Sequence, residues 1–366
     1  MFSNKRSFLK RFDFTLFITI ILLSLYGILV IASATASQNS MAFIKTQAIS
    51  TVIGIAIIFV LLNINYDTFG KLYLFIYVVC NLLLILVLAI GVERNGAKSW
   101  IAFGGFGFQP AEFVKIGIII CVAKYIEKNK SKINELFTLA KVLAFSFVPV
   151  VLILVQPDFG TAMVFVFFIC IMLFVAGLDL KYILYAAIAG ICSLPLVWFS
   201  LKGYQRDRIF NFLNPSMDVQ GSGYQVMQSK IAVGSGKVFG MGLYNGNQTQ
   251  FGFLPEKHTD FIFAVLGEEL GLIGGIVLIV LFFIMMYRLI IIAKESRDLF
   301  GSLIVTGIAA MMFVHILENI GMTMGILPVT GIPLPFISYG GTFQLSNMIC
   351  MGLVLNISVK RDRLSF

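Results

Sequence analysis

Long apolar runs recur along the chain, separated by short polar or glycine-rich stretches. A membrane span needs about 20 apolar residues. Ten runs approach that length, near 14–33, 47–62, 72–92, 113–126, 139–156, 160–178, 181–201, 261–287, 301–327 and 342–358. This pattern predicts an all-α polytopic membrane protein of about ten transmembrane helices, as one integral domain over 1–366. Ten spans leave no room for a separate soluble domain. The first run is too long for a signal-peptide core and reads as a retained helix.

An even number of spans puts both termini on one side. Both are basic, with Lys5, Arg6, Lys10 and Arg11 at the start and Lys360, Arg361 and Arg363 at the end. The connections predicted on that side are short and lysine-rich, so it is expected to be cytoplasmic. The opposite loops are different. Segment 93–112, "ERNGAKSWIAFGGFGFQPAE", is rich in glycine and aromatic residues. The long outer loop, about 202–260 between spans seven and eight, holds "YQRDRIFNFLNP" and "NGNQTQFGFLPEKHTD". The last outer loop reads "ILPVTGIPLPFISYGG". Irregular backbone at membrane depth is tolerated only where it lines a protein-walled or watery cavity. These three segments and the "QPDFG" turn are therefore expected to wall one outward-facing cavity. The two halves share no obvious repeat of broken helices, which argues softly against an inverted-repeat transporter.

Composition agrees with this reading. Hydrophobic residues make up 59% of the chain and charged residues 12%, with mean hydropathy +0.95. The net charge of +9 needs no nucleic acid, because anionic lipid headgroups account for it. Cys80, Cys121, Cys170, Cys192 and Cys350 all lie in apolar runs without a CxxC pair and read as packing thiols. With only His258 and His315, the chain has no zinc spacing, and it has no Walker loop and no GxSxG elbow.

The informative residues are charges at membrane depth, where each Asp, Lys or Arg costs about 2.5–3.5 kcal/mol to insert. Asp260 stands where the long loop meets the eighth span. Either it or Thr259 caps that helix, or Asp260, beside Lys257 and His258, is a general base. Glu112 and Lys115 open the fourth span at i, i+3. They form a local ion pair, or they grip a phosphate-bearing ligand and its metal. Asp158 in "QPDFGT" is a natural helix cap that could also face the cavity. Glu268 and Glu269 cannot both point the same way, and each reads as a structural contact. His315 and Glu318 read as a bonded pair within the ninth span. Lys202, Arg206, Arg208, Lys230, Lys237 and Lys257 put positive charge on the outer loop, against the usual bias. As a group they suit an anionic ligand at the outer leaflet.

The stretches "GAKSWIAFGGFGFQPAEFVKI", "LVQPDFGTA", "YQRDRIFNFLNP", "GYQVMQSKIAVGSG", "FLPEKHTDFIFAVLGEELGL" and "NIGMTMGILPVTGIPLPFISYGG" resemble the shape, elongation, division and sporulation (SEDS) family. They occur in family order across essentially the whole chain. "FLPEKHTDFIFAV" and "YQRDR" resemble the rod-shape branch more than the division branch. The resemblance implies a peptidoglycan glycosyltransferase that polymerises lipid II into β-1,4 glycan with inversion, at the outer face of the bacterial inner membrane. It implies Asp260 as the essential aspartate, with Glu112 and Lys115 as further catalytic candidates. Asp158, Arg206, Arg208, Lys230, Lys257, His258, Gln109 and Ser338 are the implied substrate contacts. Glu112 or Asp158 is the candidate ligand of a divalent cation, Mg or Mn, with no organic cofactor. Implied partners are a class B penicillin-binding protein, other rod-complex membrane proteins and the bilayer. The sequence departs from the family pattern at Ala111, where serine is usual, and at Thr342-Phe343, where small polar residues usually follow "SYGG". Two other readings stay open: a flippase for lipid-linked oligosaccharides, and a non-catalytic scaffold of a cell-wall synthase.

Overall fold

Lipid offers no hydrogen-bond partner, so an apolar run must satisfy its backbone internally and becomes a helix. The computed structural model describes residues 11–38, 41–94, 97–103, 106–182, isolated positions between 184 and 218, and 221–360. Numbered among the described residues, the helices are α1 Phe14–Ala34, α2 Met41–Asn63, α3 Tyr66–Lys71, α4 Tyr73–Ile90, α5 Pro110–Asn129, α6 Leu136–Val155, α7 Phe159–Val175, α8 Ser222–Ser235, α9 Asn247–Gln250, α10 Ile262–Lys294, α11 Leu299–Thr323 and α12 Gly341–Val359. Seven of them, α1, α2, α4, α6, α10, α11 and α12, are long and apolar enough to cross a membrane. The protein is a multi-pass membrane protein. Helix α7 is as apolar but shorter. The expected seventh span, 181–201, falls mostly outside the described residues, as do Lys202 and Arg208.

Helix α5 has the length of a span but carries Glu112, Lys115, Lys124, Glu127 and Lys128. It is sheltered by its neighbours α4, α6, α7, α11 and α12, and from Pro110 to Ala123 only Phe113 is not buried. Helix α11 is similarly enclosed, against α5, α7, α10 and α12. Apolar side chains gain little by meeting each other rather than lipid, so close backbone approach and polar contacts hold such helices together. At the α2–α12 seam a Cβ on Gly54 would stand 2.4 Å from the Met348 side chain. Beside it Gln344 Nε2 donates to Ser24 Oγ (3.0 Å) and Thr51 Oγ1 (3.1 Å), joining α12 to α1 and α2. Cys80, Cys121 and Cys350 are buried free thiols, as expected; Cys170 and Cys192 are free but face outward.

Two features depart from the expected all-α pattern of unbroken helices. The glycine- and aromatic-rich segment after α4 is an antiparallel meander of β1 Val92–Arg94, β2 Ala97–Phe103 and β3 Phe106–Phe108, in the order β1-β2-β3. Val92 pairs with Trp100 and Ile101 with Phe108. Lys98 fastens this sheet to the bundle. Its amide donates to Gln156 O (3.1 Å), and its ammonium caps α4 through Leu88 O (2.8 Å), at the negative end of the helix dipole.

The second is a break in α10. At about 1.5 Å per residue its 33 residues would reach roughly 50 Å, too long for an apolar core about 30 Å thick. Gly271 (φ 64°, ψ −160°) interrupts it. The backbone groups freed there are taken by the chain's own loop. Met241 N donates to Glu268 O (3.0 Å) and Gly242 N to Glu269 O (2.9 Å). Leu272 N and Ile273 N donate to Lys237 O (2.9 Å) and Val238 O (3.2 Å). The fit needs glycine on both sides: a Cβ on Gly240 would stand 2.2 Å from Glu269 O, and one on Gly271 2.3 Å from Gly240 N.

Candidate functional site

The last outer loop, residues 326–340, is where the candidate residues converge. Helix α11 supports it through three side chains at i, i+3 and i+4, which share one helical face. His315 Nδ1 lies 3.2 Å from Pro333 O, Glu318 accepts from Thr330 Oγ1 (3.3 Å), and Asn319 Nδ2 donates to Ile332 O (2.8 Å). The expected His315–Glu318 pair is not formed, because each side chain binds the loop instead. The 157–160 turn backs the same loop: a Cβ on Gly160 would stand 3.1 Å from Thr330 O.

Asp260 is partly exposed and lies just before α10, whose N-cap residue is Phe261. Neither Thr259 nor Asp260 occupies the cap position. Instead the three carbonyls leading to the helix are each held from outside it. Tyr339 N donates to His258 O (2.9 Å), Ser338 Oγ to Thr259 O (2.6 Å), and Asn319 Nδ2 to Asp260 O (2.9 Å). Gln47 of α2 secures the far side through Ser338 O (3.3 Å) and Gly340 N (3.2 Å). The Asp260 carboxylate faces Gly331, where a Cβ would stand 3.4 Å from Oδ2. A side chain there would stand against the carboxylate.

His258 and Ser338 join Asp260 as expected, but by different contacts. The Ser338 hydroxyl is fully buried, donating to Thr259 O and accepting from Leu334 N (2.8 Å). It shapes the loop, and its one donor is already engaged. The His258 ring lies between Phe43 (5.1 Å between centroids) and Tyr339 (5.7 Å). Burial holds its pKa below the ordinary value, Lys257 adds to this and Glu256 opposes it.

Lys257, expected as a substrate contact, is buried with its ammonium on Thr249 O (2.5 Å) and Ser37 Oγ (3.3 Å). Burial lowers its pKa, and the nearby Glu269 and Glu268 oppose that. Glu268 and Glu269 do reach the same loop segment, contrary to expectation. Glu268 accepts from Gln248 N (2.7 Å), Thr249 N (3.0 Å) and Thr249 Oγ1 (2.6 Å), while Glu269 accepts from Gln250 Nε2 (3.1 Å). The segment 248–250 curls around this end of α10, so two adjacent residues can both touch it.

Glu112 and Lys115 form a buried ion pair, Lys115 Nζ lying 2.9 Å from Oε1 and 2.8 Å from Oε2. The same ammonium is 3.0 Å from His315 Nε2. With Nδ1–H directed at Pro333 O, Nε2 is the acceptor for Lys115. Glu112, Lys115 and His315 thus form a chain that ends on the last outer loop. Asp158 caps α7, accepting from Thr161 N (3.0 Å), as its sequence context suggested. Gln109 is the N-cap residue of α5; its carbonyl accepts from Glu112 N (3.2 Å) while its side chain makes no capping bond. Lys230 is exposed on α8, and its Nζ lies against the start of the loop, 2.5 Å from where a Cβ on Gly325 would be. Arg206 Nη2 donates to Phe199 O (3.1 Å); Arg208 lies outside the described residues. Among the described residues no three His, Cys, Asp or Glu side chains gather to hold a metal, and both oxygens of Glu112 already face Lys115.

Sequence reasoning overlooked Asn319 and Gln47. Both are amides inside apolar runs, and that polarity was the available signal.

The sequence matches the cell cycle protein family of FtsW, RodA and SpoVE over residues 13–363. It is 39% identical over 357 residues to stage V sporulation protein E of Bacillus subtilis, covering 94% of this chain and 96% of that protein. It is 37% identical over 365 residues to the peptidoglycan glycosyltransferase MrdB of Escherichia coli, covering 99% and 98%. Among solved structures it resembles a chain of a peptidoglycan synthase complex (TM-score 0.83, 28% identity, 96% of this chain and 99% of that one). It also resembles the rod shape determining protein RodA of Thermus thermophilus (TM-score 0.73, 27% identity, 96% and 98%).

Proposed function

This chain belongs to the FtsW/RodA/SpoVE family, and from that premise we propose that it polymerises lipid II into peptidoglycan glycan strands for cell elongation. The observation that carries the reading is the placement of Asp260. The backbone of residues 258–260 is held by three external donors, one of them on Asp260 O, and the Asp260 carboxylate faces a glycine. A partly exposed carboxylate held in this way suits a general base.

In this reading Asp260 takes the proton from the 4-hydroxyl of the incoming GlcNAc. That oxygen attacks C1 of the MurNAc at the reducing end of the growing strand. The C1–O bond to undecaprenyl pyrophosphate breaks, and the α-linked donor becomes a β-1,4 linkage. Pyrophosphate is already a good leaving group, so one base suffices. The Glu112–Lys115 pair is engaged internally, which shifts phosphate binding to other cations, the exposed Lys230 first among them, with the loop arginines Arg206 and Arg208 as further candidates. A divalent cation would enter with the pyrophosphate, because cations such as Mg keep substrate phosphates among their ligands and need only one or two carboxylates.

The flippase reading drew on intramembrane polarity, and a broken helix would add to it. At the break in α10 the carbonyls of Glu268 and Glu269 and the amides of Leu272 and Ile273 are taken by residues 237–242, so these groups do not serve a transported solute. We place the active site on the extracytoplasmic face of the bacterial inner membrane, from the charge bias of the loops. The partner we propose is a class B penicillin-binding protein, with other rod-complex membrane proteins; the similar chain of known structure comes from a peptidoglycan synthase complex.

The test uses purified protein with its penicillin-binding protein, lipid II and a divalent cation, with glycan products resolved on a gel. Wild type should give polymer and folded Asp260→Asn none. Undiminished polymer from Asp260→Asn would remove Asp260 from the chemistry. No polymer from a competent wild-type complex would favour the flippase or scaffold.

A further inference from the structure

We infer that Asn319 is the positioning residue of Asp260, the side chain that sets the carboxylate against the last outer loop. The inference rests on the polymerase reading above. Asn319 is fully buried in α11, and its single NH₂ group serves two carbonyls, Asp260 O at 2.9 Å and Ile332 O at 2.8 Å. Its orientation follows from chemistry. Both facing groups are acceptors, so the amide nitrogen must point at them.

The other two bonds onto this stretch come from the loop itself, from Tyr339 N and Ser338 Oγ. If the loop moved, those bonds would carry residues 258 and 259 along. Asn319 ties both Asp260 and the loop to the enclosed helix α11. It therefore fixes the spacing between the Asp260 carboxylate and Gly331, next to Ile332 on the same loop. Without it, two carbonyl oxygens would face each other across an apolar gap and repel. A shift of about 1 Å at a reacting group can cost on the order of 100-fold in rate.

Asn319→Leu keeps the number and branching of the side-chain heavy atoms, though its methyl groups are bulkier than the amide, introduces no charge and removes both donors. Polar contacts between membrane helices contribute on average only about 0.6 kcal/mol, so the variant should fold. With lipid II and the partner protein, kcat should fall about 10–100-fold while KM stays within about threefold and the melting temperature stays near that of wild type. Asn319→Ala, which is smaller and also lacks the donors, should show the same split and stands in if the leucine variant does not fold. A wild-type kcat in either folded variant overturns the inference. So does a loss carried by KM, which would mean that the amide acts on substrate binding. An inactive wild type would instead overturn the polymerase reading, so the two failures are distinguishable.

Discussion

Replacing Lys115 with methionine would separate a structural ion pair from a catalytic one. The change leaves the Glu112 carboxylate, with only 5% of its side chain exposed, without its cation. Breaking one side of a buried pair costs about 3–5 kcal/mol, because the remaining charge has no solvent. His315 Nε2 also loses its donor at 3.0 Å, which adds about 1 kcal/mol. The single variant should therefore melt well below wild type in detergent or nanodiscs, with Trp100 and Trp198 as intrinsic reporters. The double variant Glu112→Gln/Lys115→Met removes both charges. Replacing a whole buried pair by neutral groups of similar volume is often neutral or stabilising, so most of the lost stability should return. If the pair serves only to brace His315 and Pro333, the double variant should also polymerise within about tenfold of wild type, equivalent to about 1.4 kcal/mol in the barrier. A stable double variant that makes no glycan would refute this reasoning and return Lys115 to the chemistry. A Lys115→Met protein that melts like wild type would refute the energetic argument.

Three further outcomes are expected. Gly271→Ala should destabilise the fold by more than about 2 kcal/mol, because it combines a left-handed backbone with a Cβ 2.3 Å from Gly240 N; faster hydrogen exchange over 237–242 would accompany it, and unchanged exchange and melting would contradict it. Gly331→Ala should cost only about 1–2 kcal/mol for its φ of 74° but lower kcat/KM at least about tenfold, since its methyl would stand in front of Asp260; a fully active variant would show that substrate does not approach from that side. His258 should make stability fall in mild acid. Its folded pKa is depressed, and both states carry it neutral above roughly pH 6.5. As pH drops below that value the unfolded chain takes up the proton first, so stability declines until the folded pKa is passed. The acid-side decline in melting temperature should be shallower in His258→Gln, and an equal slope would remove the assignment.

The helical frame was legible because apolar runs of span length have few other outcomes. Asp158 was legible as a cap, since Asp before Phe-Gly-Thr suits a helix start. The meander was missed because glycine and aromatic content was given more weight than the strand-like "AKSWIAF" flanked by Asn95-Gly96 and Gly104-Gly105, dipeptides typical of hairpin turns. The break in α10 was passed over although "GEELGLIGG" carries four glycines, because its apolar residues continue the span and the interrupting loop lies some 30 residues upstream. Charge at membrane depth drew attention to Glu112 and Lys115, and positive charge on the outer loop to Lys257, yet the structure pairs all three internally. A charge in a membrane must be paired to be buried at all, so its presence marks a constraint before it marks a reaction. The neutral amides Gln47 and Asn319 have less to compensate and are easily overlooked, although both hold the stretch that carries Asp260 and its neighbouring loop.

The break in α10 also bears on how the chain enters the membrane. Segment 272–294, about 34 Å long, matches the bilayer by itself and can insert as a complete span. Residues 262–270, with Glu268 and Glu269, need not cross with it. Their partners at 237–250 precede them in the chain and have already been synthesised when α10 emerges. The exposed backbone at Gly271 is therefore covered as soon as it forms, and the order of synthesis spares this protein the step at which a broken helix would otherwise be most vulnerable.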